Sequence, residues 1–179
     1  ANEILDGTDA VMLSAETASG EYPLEAVRMM SAIAEEAESF AASHPLPEPP
    51  RGAQSAHAEI IAEAAYHCAL SASVKAIVVF TASGGTARLI ARFRPRVPIF
   101  AFCETTEVAR ELSVIYGVHT IAPVRVKSTE EMLEISDLRL LPEAWSNIGD
   151  SVIIVAGAPF GVAGSANLVN LFDLRPGRA

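Results

Sequence analysis

The sequence predicts an α/β protein, a three-layer α/β/α sandwich in which helices cover both faces of a mostly parallel five-stranded sheet. Across residues 56–174, short apolar runs alternate with segments whose apolar residues recur at helical spacing. Glycines and prolines separate these segments, as they do in loops between strands and helices. Regular alternation of strand and helix is typical of a parallel sheet covered by helices.

Residues 1–42 precede this region and have a different pattern. Residues 10–14 ("AVMLS") are predicted to be a short strand buried on both faces. Pro23 is expected in the first turn of a helix, where its missing N–H costs nothing, and that helix fades near Phe40. Residues 43–55 contain four prolines and a glycine, which exclude a helix or a central strand and predict a linker between domains.

The elements after the linker follow from apolar runs and helical spacing. The predicted strands are residues 75–81, 97–103, 118–124, 150–159 and 167–174. The predicted helices are residues 56–73, 87–95, 106–117 and 128–141.

Several single residues refine these elements. Pro95 is expected to stop one helix, and Gly117 is expected to close the next as its C′ residue. Ser128 and Glu131 have the spacing of a capping box. Leu168 alternates with Asn170, which predicts that the last strand lies at an edge of the sheet.

Composition limits the classes of function. A net charge of −9 disfavours nucleic acid as a partner, and no apolar run reaches the length of a membrane span. No leader peptide is recognisable, and Cys68 and Cys103 lie in apolar surroundings without metal-ligand spacing. We therefore expect buried free thiols in a reducing, cytoplasmic compartment.

One long ordered motif, "DGTDAVMLSAETASGEYPLEAV" at residues 6–27, is the most specific feature of the chain. It resembles the pyruvate kinase family closely. The resemblance continues through "VFTASGGTARLIARFRPRVPIFAF" at residues 79–102 and "GDSVIIVAGAPFGVAGSANLV" at residues 149–169, so it covers essentially the whole chain.

The resemblance implies a domain organisation. It identifies residues 1–42 with the last strand and helix of a TIM-type barrel, and residues 56–174 with the α/β regulatory domain, followed by a tail at 175–179. The chain begins with Ala1 and lacks the preceding barrel units, so we expect it to be the C-terminal portion of a longer enzyme.

The resemblance also implies an activity, the glycolytic transfer of a phosphoryl group from phosphoenolpyruvate to ADP, which yields pyruvate and ATP. The family's catalytic lysine and its ligands for Mg²⁺ and K⁺ belong to barrel units that have no match here. We therefore expect no catalytic residue and no metal ligand in this chain, and no activity from it alone. At most, Ser14, Glu16 and Thr17 border the active site.

A glycine-rich turn is the first candidate binding site. A strand, "TASGGT" and a helix follow one another here, and backbone amides in such a turn favour an anion. Glycines that serve only the geometry of the turn are the alternative. The resemblance implies that a sugar-phosphate effector binds here. The candidate residues are Thr81, Ser83, Gly84, Gly85 and Thr86.

One position in this turn departs from the family. Many relatives carry Arg or Lys where Gly85 stands, so the turn keeps its backbone donors and loses a charge. Arg88 or Arg92 compensates for that loss only if it is oriented toward the turn.

The loop after the fourth predicted strand is the second candidate. The resemblance implies that Gly161, Gly164 and Ser165 close over the effector, whereas a purely structural loop is the alternative. Trp145 is expected to pack against a helix end, with effector stacking as the alternative. Glu35, with its neighbours Glu36 and Glu38, is expected on a solvated helix face.

Partners follow from the same resemblance. We expect a sugar phosphate or nucleotide as allosteric effector, and a homo-oligomer, a homotetramer in the whole enzyme. Phosphoenolpyruvate and ADP are expected as ligands of the full-length enzyme only, with neither a nucleic acid nor a membrane as partner. Two alternatives remain, a stand-alone phosphometabolite-binding module without catalysis and a purely structural oligomerisation domain.

Overall fold

A computed structural model of the chain describes residues 1–43, 56–142 and 146–176. The chain divides into two compact units, Ala1–Glu48 and Pro49–Ala179. The predicted linker lies outside the described residues apart from Ser43, as do Trp145 and the last three residues of the predicted tail.

The first unit is helical in its described part. Its helices are Asn2–Leu5 (α1), Ala15–Ala18 (α2) and Pro23–Ser43 (α3), and both short helices pack against α3. The predicted strand at residues 10–14 is wrong, because these residues have irregular backbone. A strand is stabilised by hydrogen bonds to a neighbour, and no other described segment of this unit is extended beside it.

Helix α3 begins at Pro23, as predicted, but its apolar stripe is exposed. Leu24 is 66% exposed, Val27 51% and Ile33 42%. Among the described side chains of this unit, only Ala37 is buried. Because packing of an apolar face supplies most of a helix's stability in a protein, α3 is weakly supported by its own unit. Within the described ranges, no helix of either unit is long and apolar enough to cross a membrane.

The second unit alternates helices with strands. Its strands are Val74–Thr81 (β1), Ile99–Cys103 (β2), Val118–Ile121 (β3), Ser151–Gly157 (β4) and Ala166–Asp173 (β5). Its helices are Ala56–Ser71 (α4), Gly85–Ala91 (α5), Thr106–Leu112 (α6) and Thr129–Leu140 (α7).

The strands form one sheet in the order β3-β2-β1-β4-β5. The first four are parallel, and β5 runs antiparallel to β4 at the edge. This confirms the mostly parallel five-stranded sheet and the edge position that the Leu168 and Asn170 alternation predicted.

Side chains on β2 and β4 alternate strictly between two cores. In β2, Ile99, Ala101 and Cys103 join the core under α4, α5 and α6, whereas Phe100 and Phe102 join the core under α7. The same alternation occurs in β4. Helices therefore cover both faces, which confirms the three-layer sandwich.

Three helix details differ from prediction. Helix α5 ends at Ala91, well before Pro95. The chain then turns at Arg94, whose φ is 51°. The guanidinium of Arg94 lies 4.0 Å from the ring centroid of Tyr116. Helix α6 ends at Leu112, so Gly117 is not its C′ residue but a left-handed turn residue just before β3. In α4 the buried face carries Ala62 and Ala65, whereas Cys68 is exposed.

The predicted capping box at α7 is present. The N–H of Glu131 donates to the Ser128 hydroxyl at 3.1 Å. In a capping box, the Glu131 carboxylate would accept the N–H of Ser128. Here it accepts the N–H of the preceding residue, Lys127, at 2.8 Å. Two backbone donors at the start of the helix are thereby satisfied.

The two cysteines should differ in reactivity. Cys103 is fully buried in the sheet, and burial raises the pKa of its thiol to about 11, whereas Cys68 is exposed. Because the thiolate is the reactive form, we expect Ellman's reagent to titrate one of the two thiols in the native chain and both in denaturant. Cys68→Ser should abolish the native reaction, and two reactive thiols in the native wild type would contradict this structure.

A buried acid should make stability depend on pH. Asp137 in α7 is 9% exposed and accepts the Arg175 N–H at 2.9 Å. Burial raises its pKa, opposed by the hydrogen bond from Arg175 and the charge of that residue. The native state thus holds this proton more tightly than the unfolded state, so this group's contribution to stability falls as the pH rises above the usual carboxyl pKa.

Asp137→Asn keeps an acceptor oxygen and removes the titration. We expect the variant to gain stability relative to wild type as the pH rises above about 4, the usual range of the carboxyl pKa, measured by urea unfolding followed by circular dichroism. Glu134→Gln, which removes an exposed carboxylate from the same helix, is the matched control. A wild-type to Asp137→Asn difference that does not change with pH would refute this role for Asp137.

Candidate functional site

The sheet topology creates a crevice between β1 and β4. The chain proceeds from β1 outward to β2 and β3 on one side, and then returns to place β4 on the other side of β1. In open α/β sheets, ligands bind outside the carboxyl ends of the strands at such a reversal. The register brings Thr81 beside Cys103, and Val79 beside Val155, so the three strands end at the same level.

A cleft lies at this position. It is open to solvent and lies between the turn after β1 and the loop after β4. The structure therefore brings together the two segments that the sequence nominated separately. Its floor is apolar, and Phe80 stacks on Phe102 there with ring centroids 4.8 Å apart.

The turn after β1 is built by its own residues. Gly84 has a φ of 80°, and a side chain there would approach Leu112 to 3.2 Å, so the position requires glycine. Its N–H donates to the Thr81 hydroxyl oxygen at 2.8 Å. The amide of Gly84 is consequently engaged inside the turn.

The predicted phosphate residues take different positions. Thr81, Ser83 and Thr86 line the cleft, whereas Gly84 and Gly85 lie in the turn without lining it. The amides of residues 85–87 begin α5 and have no intrahelical acceptor. The cleft therefore offers hydroxyl groups as donors, beside a helix start with unpaired amides.

The loop after β4 forms the opposite wall. Gly161, Gly164 and Ser165, the candidate residues of this loop, all line the cleft. The Ser165 hydroxyl donates to the carbonyl of Val162 at 2.7 Å, so its proton is used within the loop. A Cβ on Gly157 would collide with Ser165, which explains the glycine at the end of β4.

Asn167 fixes the base of this loop and was missed by the sequence analysis. Its Oδ1 accepts the N–H of Ala158 at 2.9 Å, and its Nδ2 donates to the Ala158 carbonyl at 2.7 Å. The side chain thus continues the pairing of β4 with β5 beyond the strand end. Its position beside the glycine-rich loop was the available signal.

The arginines near the turn do not replace the charge missing at Gly85. Arg88 pairs with Glu111 at 3.2 Å, and Arg92 pairs with the buried Glu59 at 3.4 Å. Neither arginine lines the cleft. The sequence left their orientation open, and the structure directs both toward neighbouring helices.

Glu104 is a cleft residue that sequence reasoning missed. It follows β2 directly, and its N–H donates to the Thr81 carbonyl at 3.4 Å. Its side chain lines the cleft together with Ser83 and Thr86. The rule that sites form at the carboxyl ends of parallel strands would have pointed to it.

In the first unit, the residues expected to border an active site are engaged with one another. The Ser14 N–H donates to the Glu16 carboxylate at 2.9 Å, and the Thr17 hydroxyl donates to the Ser14 carbonyl at 3.3 Å. Backbone hydrogen bonds from Glu16 and Ser14 lower the pKa of the Glu16 carboxyl. A Cβ on Gly20 would lie 2.5 Å from the Glu16 carbonyl oxygen, so the glycine permits this tight turn.

Metal ligands are not grouped in the part of the chain that the structure describes. There, no three or more histidine, cysteine or acidic side chains stand close enough together to hold an ion. Glu16 is engaged with a backbone N–H, and Glu35, Glu36 and Glu38 lie exposed along α3. These acidic residues therefore do not form a cluster that suits Mg²⁺.

Two family models match the chain. The model for the pyruvate kinase alpha/beta domain matches residues 59–172, and the model for the pyruvate kinase barrel domain matches residues 1–27. The first of these matches alone covers more than half of the chain.

Known proteins agree with these matches. A pyruvate kinase of Geobacillus stearothermophilus is 40% identical, with 96% of this chain and 29% of the relative covered. One of Mycobacterium tuberculosis is 41% identical, with 96% and 36% covered. A crystal structure of a Cryptosporidium parvum pyruvate kinase superposes with a TM-score of 0.79 at 32% identity, with 97% of this chain and 34% of that one covered.

The chain thus spans about a third of the length of the relatives it matches. The matches include both units, the α/β sandwich with its crevice and the helical segment with the long ordered motif. On this evidence of sequence and fold, the chain belongs to the pyruvate kinase family.

Proposed function

We propose that this chain is the regulatory portion of a cytoplasmic, homo-oligomeric pyruvate kinase, and that the cleft between β1 and β4 binds the phosphate group of an allosteric effector. The observation that carries the proposal is the meeting of two segments in one cleft. The turn at residues 81–86 and the loop at residues 157–166 are far apart in sequence and line the same space.

The chemistry of the cleft supports a phosphate ligand. Ser83 and Thr86 place hydroxyl-bearing side chains in the lining of a cleft that is open to solvent and has an apolar floor. Hydrogen bonds to a charged group each contribute about 1.5–3 kcal/mol. The lining combines a few such polar groups with apolar surface such as Phe80, as small-molecule sites commonly do.

Regulation requires that the effector favour one arrangement of the whole enzyme over another. The loop after β4 is suited to that purpose, because it is exposed from Gly161 to Gly164 and is held at its base by Asn167. In the whole enzyme, the reaction served is phosphoryl transfer from phosphoenolpyruvate to ADP, which is driven by positioning and by charge stabilisation of the transferring group.

Loss of the cleft hydroxyls should weaken phosphate binding. We expect the double variant Ser83→Ala/Thr86→Ala to bind fructose 6-phosphate at least about tenfold more weakly than wild type, by isothermal titration calorimetry on the 179-residue chain. Ser31→Ala, which removes an exposed hydroxyl in the first unit, is the control.

The same titration separates the alternatives. A purely structural oligomerisation domain predicts no heat with fructose 6-phosphate, AMP or inorganic phosphate. Wild-type binding that survives the double variant unchanged would place the ligand elsewhere and refute the proposed site.

The polypeptide of residues 1–179, tested by itself, should show no pyruvate kinase activity. In the first unit, Ser14, Glu16 and Thr17 are occupied with local hydrogen bonds, and the described residues hold no cluster of metal ligands. A coupled lactate dehydrogenase assay with phosphoenolpyruvate and ADP measures this, with a full-length pyruvate kinase as positive control. Turnover above the buffer background would overturn the prediction.

A further inference from the structure

The charge in the candidate cleft has an unusual sign for a phosphate site. Among the described residues that line it, Glu104 alone carries a formal charge. The hydroxyls of Thr81, Ser83 and Thr86 are neutral, and the remaining lining residues are small or apolar. A bound phosphate therefore meets neutral donors on one side and shares the cleft with a carboxylate.

Glu104 lies between the two walls of the cleft. Its N–H is joined to the Thr81 carbonyl in the turn after β1. Its Oε1 lies 3.4 Å from the point where a Cβ on Gly161 would stand, so the carboxylate faces the loop after β4. Within the described ranges, its side chain has no hydrogen bond or ion pair. The carboxylate is therefore available to a ligand.

Nearby cations are directed elsewhere. Arg88 and Arg92 pair with Glu111 and Glu59 on other helices. Arg125 stands between two lining residues, Val124 and Val126, but is itself exposed and does not line the cleft. Nothing in the described lining offsets the negative charge of Glu104.

The floor of the cleft suits a ring. Phe80 is half-buried and stacks on the fully buried Phe102, so one aromatic face supports the base of the cleft. The C–H face of a sugar or the plane of a nucleobase packs well on such a surface. Both kinds of ring carry hydroxyl or amino groups that donate to a carboxylate.

We propose that Glu104 is a specificity-determining residue, and that it makes the cleft select ligands with a single phosphate group and neutral hydrogen-bond donors over ligands with two separate phosphates. The carboxylate accepts hydrogen bonds from the donors of a monophosphate, whereas it repels a second phosphate. Selectivity of this kind comes from a repulsive element as much as from an attractive one. The proposal rests on the phosphate-binding function proposed above.

The test compares matched ligands that differ by one phosphate group. The pairs are fructose 6-phosphate with fructose 1,6-bisphosphate, and AMP with adenosine 3′,5′-bisphosphate, titrated calorimetrically into the 179-residue chain at low ionic strength. The sugar pair and the adenosine pair distinguish the two sources of this ligand chemistry. At least one pair should show a preference of about tenfold or more for the monophosphate, the effect of one like-charge contact near a protein surface.

Variants assign that preference to Glu104. Glu104→Gln keeps the size and one acceptor, and should reduce the preference to within about threefold, because the repulsion is removed. Glu104→Lys should reverse it. Glu107→Gln, which removes an exposed carboxylate from the adjacent helix, is the matched control and should leave the preference unchanged.

The outcomes separate this proposal from the proposed function. Equal binding of the two members in both pairs, or a preference that Glu104→Gln leaves intact, overturns the role of Glu104 while a phosphate site remains. Failure of the wild type to bind any of these phosphates overturns both. Should the variants not fold, the salt dependence of the wild-type preference tests the proposal. A preference that is set by charge falls as salt is added, whereas a preference that does not change with salt contradicts the proposal.

Discussion

The constraint on which the second unit depends is the burial of β1, β2 and β4 on both faces in parallel register. Val78 and Val79 of β1 point to opposite faces and are both completely buried. A slip of one residue would exchange the two cores, so the register is strongly specified. That register sets Thr81, Cys103 and the end of β4 at one level, and the loops that follow must meet there.

The first unit has no comparable constraint. Its most diagnostic segment is held by short-range bonds, among them the Ser14 amide on the Glu16 carboxylate and the close approach that Gly20 permits. These contacts explain why the motif needs those residues at that spacing. They bury almost no apolar surface, and the apolar stripe of α3 stays exposed although α1 and α2 pack against that helix.

Different residues determine the shape and the formal charge of the candidate cleft. Its walls are set by glycines at positions where a side chain would collide, such as Gly84 against Leu112 and Gly157 against Ser165. Its formal charge comes from a different residue, Glu104, because Arg88 and Arg92 pair with acidic residues of neighbouring helices and do not line the cleft. Under the proposal for Glu104, a fold shared within the pyruvate kinase family supports different ligand preferences, because the proposed discriminating residue is not one of the glycines that shape the backbone.

The sequence by itself determined the family, the α/β class and most elements of the sandwich, because apolar periodicity and motif spacing are local properties of the chain. It also nominated residues that lie on both walls of the cleft, Ser83 and Thr86 on one and Gly161, Gly164 and Ser165 on the other. It failed at residues 10–14, where an apolar run finds no neighbouring strand, and at Cys68, whose place on α4 depends on which face meets the sheet. Only the tertiary structure decided that Arg88 and Arg92 point away and that Glu104 lines the cleft, since side-chain direction and the meeting of distant loops depend on strand order and register.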